Sequence, residues 1–241
     1  MNLEEITTAV ITYNRPLCVG NFLKSARKHL DDMPVLVIDG SSEIGDGCIT
    51  FDSAIFTHNR PLSINLNNAI LFSRTRYVMI CNDDIYFKDG IMPFLFKLNG
   101  AGLHILSNWS CFVIDKAIIP TVGWFDPRLE SAGYDGKDYG SRMKICGIEM
   151  KRYDCREFIH HDQYTRRKHY KSVRWNYRQS FDFFRKKWDV VNSKTTVNSK
   201  TTVNLKKLSG AKLKQMKKMD DPDWYPYYTE LYRKGIWSDE I

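Results

Sequence analysis

Alternating apolar and polar stretches lay out the first third of the chain. Residues 6–12 are rich in β-branched side chains and predict a strand. Polar residues 13–15 end it, and Pro16 suits the first position of a helix, where a backbone N–H has no partner to lose. Leu17, Phe22, Leu23, Ala26 and Leu30 carry that helix to about residue 29. Pro34 separates it from an apolar run at 35–38, a second strand that ends at Asp39 and Gly40. A strand–helix–strand unit of this kind forces a parallel pair with a right-handed crossover. Residues 54–57 predict a short third strand. Leu62, Ile64, Leu66, Ala69, Ile70 and Phe72 predict a helix with Ser63 as a candidate N-cap. Asn65, Asn67 and Asn68 are unusual near a helix start, where polar side chains more often serve as caps or ligand contacts.

The pattern then tightens. Tyr77 to Cys81 is continuously apolar, as in a strand covered on both faces. It runs into Asn82, Asp83 and Asp84, followed by another apolar pair, Ile85 and Tyr86, so 77–87 reads as one strand with an acidic end. Ligand sites in open α/β sheets lie beyond the carboxyl ends of strands. Adjacent carboxylates there repel unless a cation sits between them, and hard cations such as Mg²⁺ or Mn²⁺ prefer oxygen ligands and accept phosphate oxygens. A polar turn after a core strand is the plainer alternative.

Downstream, residues 91–98 predict a short helix, 103–106 and 110–114 two strands, and 116–122 another short helix. Residues 133–139 read as a Gly-loosened acidic loop, with Asp135 and Asp138, leading into a helix at 141–145. N-capping accounts for one of those aspartates but not both. Residues 155–159 predict an edge strand ending at His160 and His161. From 164 to 188 the period becomes helical: Tyr170, Val173, Tyr177, Phe181, Phe184 and Trp188 form one face, which reads as packing against the body. The hexapeptide at 191–196 recurs at 197–202, a polar linker or slipped duplication, and an aromatic tail follows.

Composition adds a partner and a compartment. The 241 residues are 43% hydrophobic and 27% charged, enough for one α/β domain with an appendage. Six scattered cysteines without a CxxC pair suggest reduced thiols, not a disulfide framework or zinc site. No apolar run approaches a membrane span, and the N-terminus does not read as a signal peptide, so the expected location is cytoplasmic, in a host if the source is viral. Residues 1–150 carry 14 Lys and Arg against 17 Asp and Glu, whereas residues 151–241 carry 22 against 11. A basic third attached to an acidic body points to a polyanionic partner, or to a solvated basic helix.

The order of these features resembles the inverting, family 2-like glycosyltransferases of GT-A fold, in particular compact rhamnosyltransferase-like members of bacteria or viruses. The resemblance spans residues 6–188 and rests on motif order. It implies a GT-A-type α/β core at 1–163, with a central mixed, mostly parallel sheet flanked by helices. A basic, aromatic helical extension follows at 164–241, with its linker at 191–204. By resemblance, Thr12, Tyr13, Asn14, Arg15, Asp39, Asn59, Asn65, Asn68, Asn82, Asp83, Arg166 and Arg167 line a nucleotide-sugar donor of UDP, GDP or dTDP type. Asp84 of a DXD-type motif, with Asn82 at its first position, and His160, with His161 as fallback, would ligate Mn²⁺ or Mg²⁺. Residues 123–126 resemble the family's GxFD-like turn. The segment 135–138 stands at its Glu-Asp motif, although Lys137 departs from the acidic norm. Asp138 would be the general base, with Asp135 the alternative. The implied reaction is sugar transfer to a hydroxyl of a glycan, a protein side chain or a polyanion such as modified phage-type DNA. A non-catalytic nucleotide- or nucleic-acid-binding module is the competing reading.

Overall fold

The structure, a computed structural model, describes residues 5–13, 15–40, 53–56, 62–129, 133–162 and 170–188; for 53–56, 170–177 and 179 it describes the backbone alone. Asn14, Asn59, Arg166, Arg167, the hexapeptide repeat and the aromatic tail lie outside these residues.

The strands are β1 (Ile6–Thr12), β2 (Val35–Asp39), β3 (Ser53–Phe56), β4 (Tyr77–Asn82), β5 (Ile85–Phe87), β6 (Leu103–Ser107), β7 (Cys111–Asp115), β8 (Met150–Arg152) and β9 (Ile159–His161). The helices are α1 (Pro16–His29), α2 (Leu62–Phe72), α3 (Ile91–Phe96), α4 (Ile119–Val122), α5 (Tyr134–Ile145) and α6 (Tyr170–Trp188). Among the described residues seven strands form one mixed sheet in the order β3-β2-β1-β4-β7-β6-β8. Its neighbours are parallel except at β4–β7 and β6–β7, and β5 and β9 form a separate antiparallel pair.

The continuous apolar strands are explained by two cores. Alternate residues of a strand point to opposite faces. Val10, Val37, Met79 and Cys81 therefore meet α1 and α3 through Phe22, Leu23, Ala26, Ile91 and Leu95. Ala9, Ile11, Ile38, Val78 and Ile80 meet α2 and α5 through Leu66, Ile70, Tyr139 and Met143. Both faces are covered, which leaves the strand ends as the places where polar side chains collect.

Several local expectations are corrected. The apolar stretch at 77–87 is not one strand: it breaks at Asp83 and Asp84, and β5 leaves the main sheet to pair with β9. Ser63 lies within α2 and its hydroxyl donates to the Leu129 carbonyl (3.2 Å), so it ties the helix to the turn after α4. The acidic loop at 133–139 is already helix from Tyr134 onward. The strand expected at 155–159 is instead a turn followed by β9, which contains both histidines, and β8 went unforeseen. The described part of the C-terminal extension is integral: Phe184 and Trp188 of α6 are buried with Leu129 and Tyr134. The five described cysteines are free thiols. No described helix is long and apolar enough to cross a membrane.

Candidate active site

The chain reverses at Asp83 and Asp84, and each carboxylate goes a different way. Asp83 is held from β1 and the start of α1. The Thr12 hydroxyl donates to Oδ2 (2.8 Å) and Arg15 Nη1 donates to Oδ1 (3.0 Å). Burial raises its pKa to about 6 despite those partners. Asp83 thus bolts the end of β1 to the end of β4, and its oxygens are engaged within the protein.

Asp84 is 1% exposed, and its Oδ1 is a buried oxygen with no hydrogen-bond partner. His161 Nε2 stands 3.4 Å away, within ion-pair range but long for a hydrogen bond. Burial alone would raise the Asp84 pKa; the imidazole and Arg15 outweigh it and hold the carboxyl below its ordinary range. The β5–β9 pairing explains why His161 takes this place. Ile85 pairs with His161 and Tyr86 with His160, so successive histidines face opposite ways. His160 is exposed and stacks on Tyr86, with centroids 6.0 Å apart. The fallback histidine, not the first choice, meets the carboxylate.

A buried, unpartnered carboxylate oxygen beside an imidazole nitrogen fits a divalent cation. Among the described residues no three His, Cys, Asp or Glu side chains gather into a metal cage. Two protein donors still suit Mg²⁺ or Mn²⁺, which usually keep waters and substrate phosphates as their remaining ligands.

Beside this pair, the ends of β1 and β2 form a shelf. Thr12 and Asp39 are register partners, and the Gly40 N–H donates to the Thr12 carbonyl (2.9 Å). A Cβ on Gly40 would lie 3.1 Å from the Tyr13 ring and 3.6 Å from Asn65 Nδ2, so a side chain there would press on the tyrosine ring. Tyr13 is 52% exposed and Asp39 is buried, giving an open aromatic ring next to a carboxylate at a strand end. Asn82 closes β4 opposite Ile11, and Asn68 is half-buried on α2. Asn67 is structural, since its amide exchanges two hydrogen bonds with the Phe125 backbone (2.9 and 2.8 Å).

The second acidic cluster reaches the first through the β6–β7 hairpin. The Asn82 N–H donates to the Ser110 carbonyl (2.8 Å), which seats the hairpin tip against the end of β4. Trp109 at that tip packs on Gly136 so closely that a Cβ there would lie 2.4 Å from the indole. Gly136 therefore does not loosen a loop; it lets the first turn of α5 close on the hairpin.

The two α5 aspartates differ sharply. Asp138 is fully buried, and both oxygens are occupied. Oδ2 accepts from Arg142 Nε (2.9 Å), one helical turn on, while Oδ1 accepts from Trp188 Nε1 (2.8 Å) and Lys187 Nζ (2.9 Å). Burial opposes ionisation of Asp138, but Lys187 and Arg142 overcome it and keep the carboxyl below its ordinary pKa. Asp135, in the first turn, accepts from the Gly133 N–H (2.7 Å), and burial pushes its pKa up to about 6 in spite of its backbone hydrogen bonds. A carboxyl titrating near neutrality can take up a proton and give it back; one locked between two cations cannot do so without breaking its ion pairs.

Three participants were not foreseen. Arg142 could have been found from its i,i+4 spacing to Asp138. Lys187 and Trp188 lie 49 and 50 residues from Asp138 with no local signal.

No protein-family model matches the sequence, and no curated protein is similar to it. Solved structures are. The S. aureus TarS structure superimposes with a TM-score of 0.57 at 10% identity, covering 96% of this chain and 53% of TarS, so the chain spans about half of that protein. A TarS fragment in complex with UDP gives 0.51 at 13% identity over 64% of this chain and 59% of the fragment. A mutant of Drosophila β1,4-galactosyltransferase 7, in complex with manganese, UDP-Gal and xylobiose, gives 0.51 at 8% identity over 68% of this chain and 74% of that one. The fold is that of the GT-A-type glycosyltransferases.

Proposed function

We propose that this chain is a metal-dependent, inverting glycosyltransferase that moves a sugar from a nucleoside-diphosphate sugar to an acceptor hydroxyl. The observation that carries the reading is the buried Asp84 oxygen, without a hydrogen-bond partner and 3.4 Å from His161, at the end of a central strand in a GT-A sheet. Asp84 and His161 would hold Mn²⁺ or Mg²⁺. Such an ion, when bound, would neutralise charge on the departing diphosphate. Arg15 holds Asp83 in place and adds positive charge to the same strand end. Asp39, with Tyr13 and Gly40, would receive the nucleoside. Thr12, Asn65, Asn68 and Asn82 would border the donor, and Asn14, Asn59, Arg166 and Arg167 keep the donor role that the resemblance implies.

The base role passes to Asp135, because Asp138 is committed to Arg142, Lys187 and Trp188. As the acceptor oxygen bonds to the anomeric carbon, the bond from that carbon to the diphosphate oxygen breaks and its electron pair leaves with the diphosphate. The hydroxyl proton moves to Asp135. One displacement inverts the anomeric centre.

A glycan hydroxyl is the first-choice acceptor, as the Drosophila enzyme's complex holds xylobiose. The second reading is a polyanion such as modified DNA, favoured by 22 Lys and Arg against 11 Asp and Glu in residues 151–241. Its binding would weaken steeply with salt. The test is nucleoside-diphosphate release from a donor panel, abolished by chelator and restored by Mn²⁺ or Mg²⁺, followed by NMR of the product. A retained configuration would reject direct displacement, and absence of turnover with every donor would leave a nucleotide-binding module.

A further inference from the structure

Lys187 is a lysine with only 1% of its side chain exposed, and its ammonium lies between two carboxylates: 3.0 Å from Asp126 Oδ2 and 2.9 Å from Asp138 Oδ1. These carboxylates belong to different parts of the fold. Asp126 is in the turn after α4, where Arg128 grips both of its oxygens (2.8 and 2.6 Å), and Asp138 is in α5. Arg142 extends the chain of contacts by donating to the Val122 carbonyl (2.7 Å). The neighbouring Trp188 donates to Asp138, while Phe181 and Phe184 pack on Tyr134, the first residue of α5. One end of α6 thus grips the first two turns of α5 through both charge and apolar contact. A buried lysine is costly unless its charge is matched. Here two carboxylates match it, and each of them also carries an arginine, Arg128 on Asp126 and Arg142 on Asp138, so exchanging the lysine for an apolar residue leaves two separate ion pairs and removes the cation that joins them.

We propose that Lys187 is a positioning residue for the transfer reaction: by bridging Asp126 and Asp138 it fixes the first turn of α5, and with it Asp135, against the Trp109 hairpin. The proposal rests on the glycosyl-transfer reading, and it makes α6 a working part of the site. The charged groups near Asp135 among the described residues are Lys137, Asp138 and Arg142 of its own helix, Lys187 of α6, and, beyond Lys187, Asp126 and Arg128. Removing the lysine charge leaves Asp138 less well countered, which favours the protonated form of Asp135.

The experiment compares Lys187→Met with Lys187→Arg in the full chain. In Lys187→Met, kcat for transfer falls by about tenfold or more, as expected for a displaced catalytic group, while the donor KM stays within about twofold. The Asp135 carboxyl, followed by ¹³C NMR and assigned against Asp135→Asn, titrates at higher pH. Lys187→Arg keeps the wild-type titration and most of the rate. If Lys187→Met does not fold, the paired variant K187M/D126N removes one charge of each sign and leaves Asp138 with Arg142 and Trp188, and its kcat still falls because the lysine link between Asp126 and Asp138 is gone. An unchanged kcat and unchanged titration in a folded variant lacking Lys187 would overturn the proposal, as would a loss confined to donor KM. Should the wild-type chain transfer no sugar, the catalytic reading fails; the NMR titration still decides whether Lys187 controls Asp135.

Discussion

His161 Nε2 faces Asp84 Oδ1 at 3.4 Å across the junction of β4 and the β5–β9 pair, whereas His160, one residue earlier, turns outward onto Tyr86. The two histidines give an internal control. His161→Ala is expected to raise the Mn²⁺ concentration needed for half-maximal activity by about tenfold or more, in line with losses seen around metal ligands. His160→Ala is expected to stay within about twofold. Metal titration of donor turnover checks both, and a larger effect at His160 would reverse the assignment.

Asp135 carries a prediction in which activity and stability move in opposite directions. Its folded pKa of about 6 lies above the unfolded value, so the folded state binds the proton more tightly. The stability contributed by the neutral carboxyl is present below pH about 4 and is lost as pH rises through about 6. Activity needs the ionised form and should rise through the same interval. Asp135→Asn therefore loses about 10²–10⁴ in kcat/KM. At pH 7.5 it gains about 1–3 kcal/mol of stability, because an amide accepts the Gly133 hydrogen bond without a buried charge. Transfer assays and thermal melts on the same preparation check the pair of effects.

Asp138→Ala should show the opposite balance between direct and indirect effects. It takes from buried Arg142 its carboxylate and from Lys187 one of its two, and breaking a buried ion pair from one side costs about 3–5 kcal/mol. Chemical denaturation measures that loss. Preserved stability with complete loss of transfer would return the base role to Asp138.

Gly136→Ala places a methyl group against the Trp109 indole, where a Cβ would lie 2.4 Å from the nearest ring atom. Overpacking of this kind costs about 1–3 kcal/mol. It should also shift α5 and lower kcat more than donor affinity. Pairing it with Trp109→Ala, which removes the ring, should recover part of the lost stability in a double-mutant cycle.

Much of the fold was legible because the signals are local. Buried strands such as β1, β2 and β4 read as apolar runs, and Pro16 and Pro34 punctuate them. Asp39 and Asp84 could be placed because a polar residue that follows a fully covered strand must emerge at its end. Other features depended on long-range contacts. Which histidine faces Asp84 was set by the register of β9 on β5, two short strands whose starts are 74 positions apart. The proposal of Asp135 over Asp138 as base turns on Lys187, whose burial against Asp138 no local pattern announces. Gly136 read as a loop signal because glycine weakens helices; its actual reason is the indole lying against it.

The most direct test is release of nucleoside diphosphate from UDP-, GDP- and dTDP-sugars by the wild-type chain and by Asp84→Asn, with and without Mn²⁺. The account predicts Mn²⁺-dependent turnover of at least one donor by the wild type. It predicts a loss of about hundredfold or more in Asp84→Asn, together with a modest loss of thermal stability at neutral pH, since the ionised carboxylate that His161 and Arg15 favour is gone. Undiminished turnover by Asp84→Asn, or turnover indifferent to metal, would contradict it.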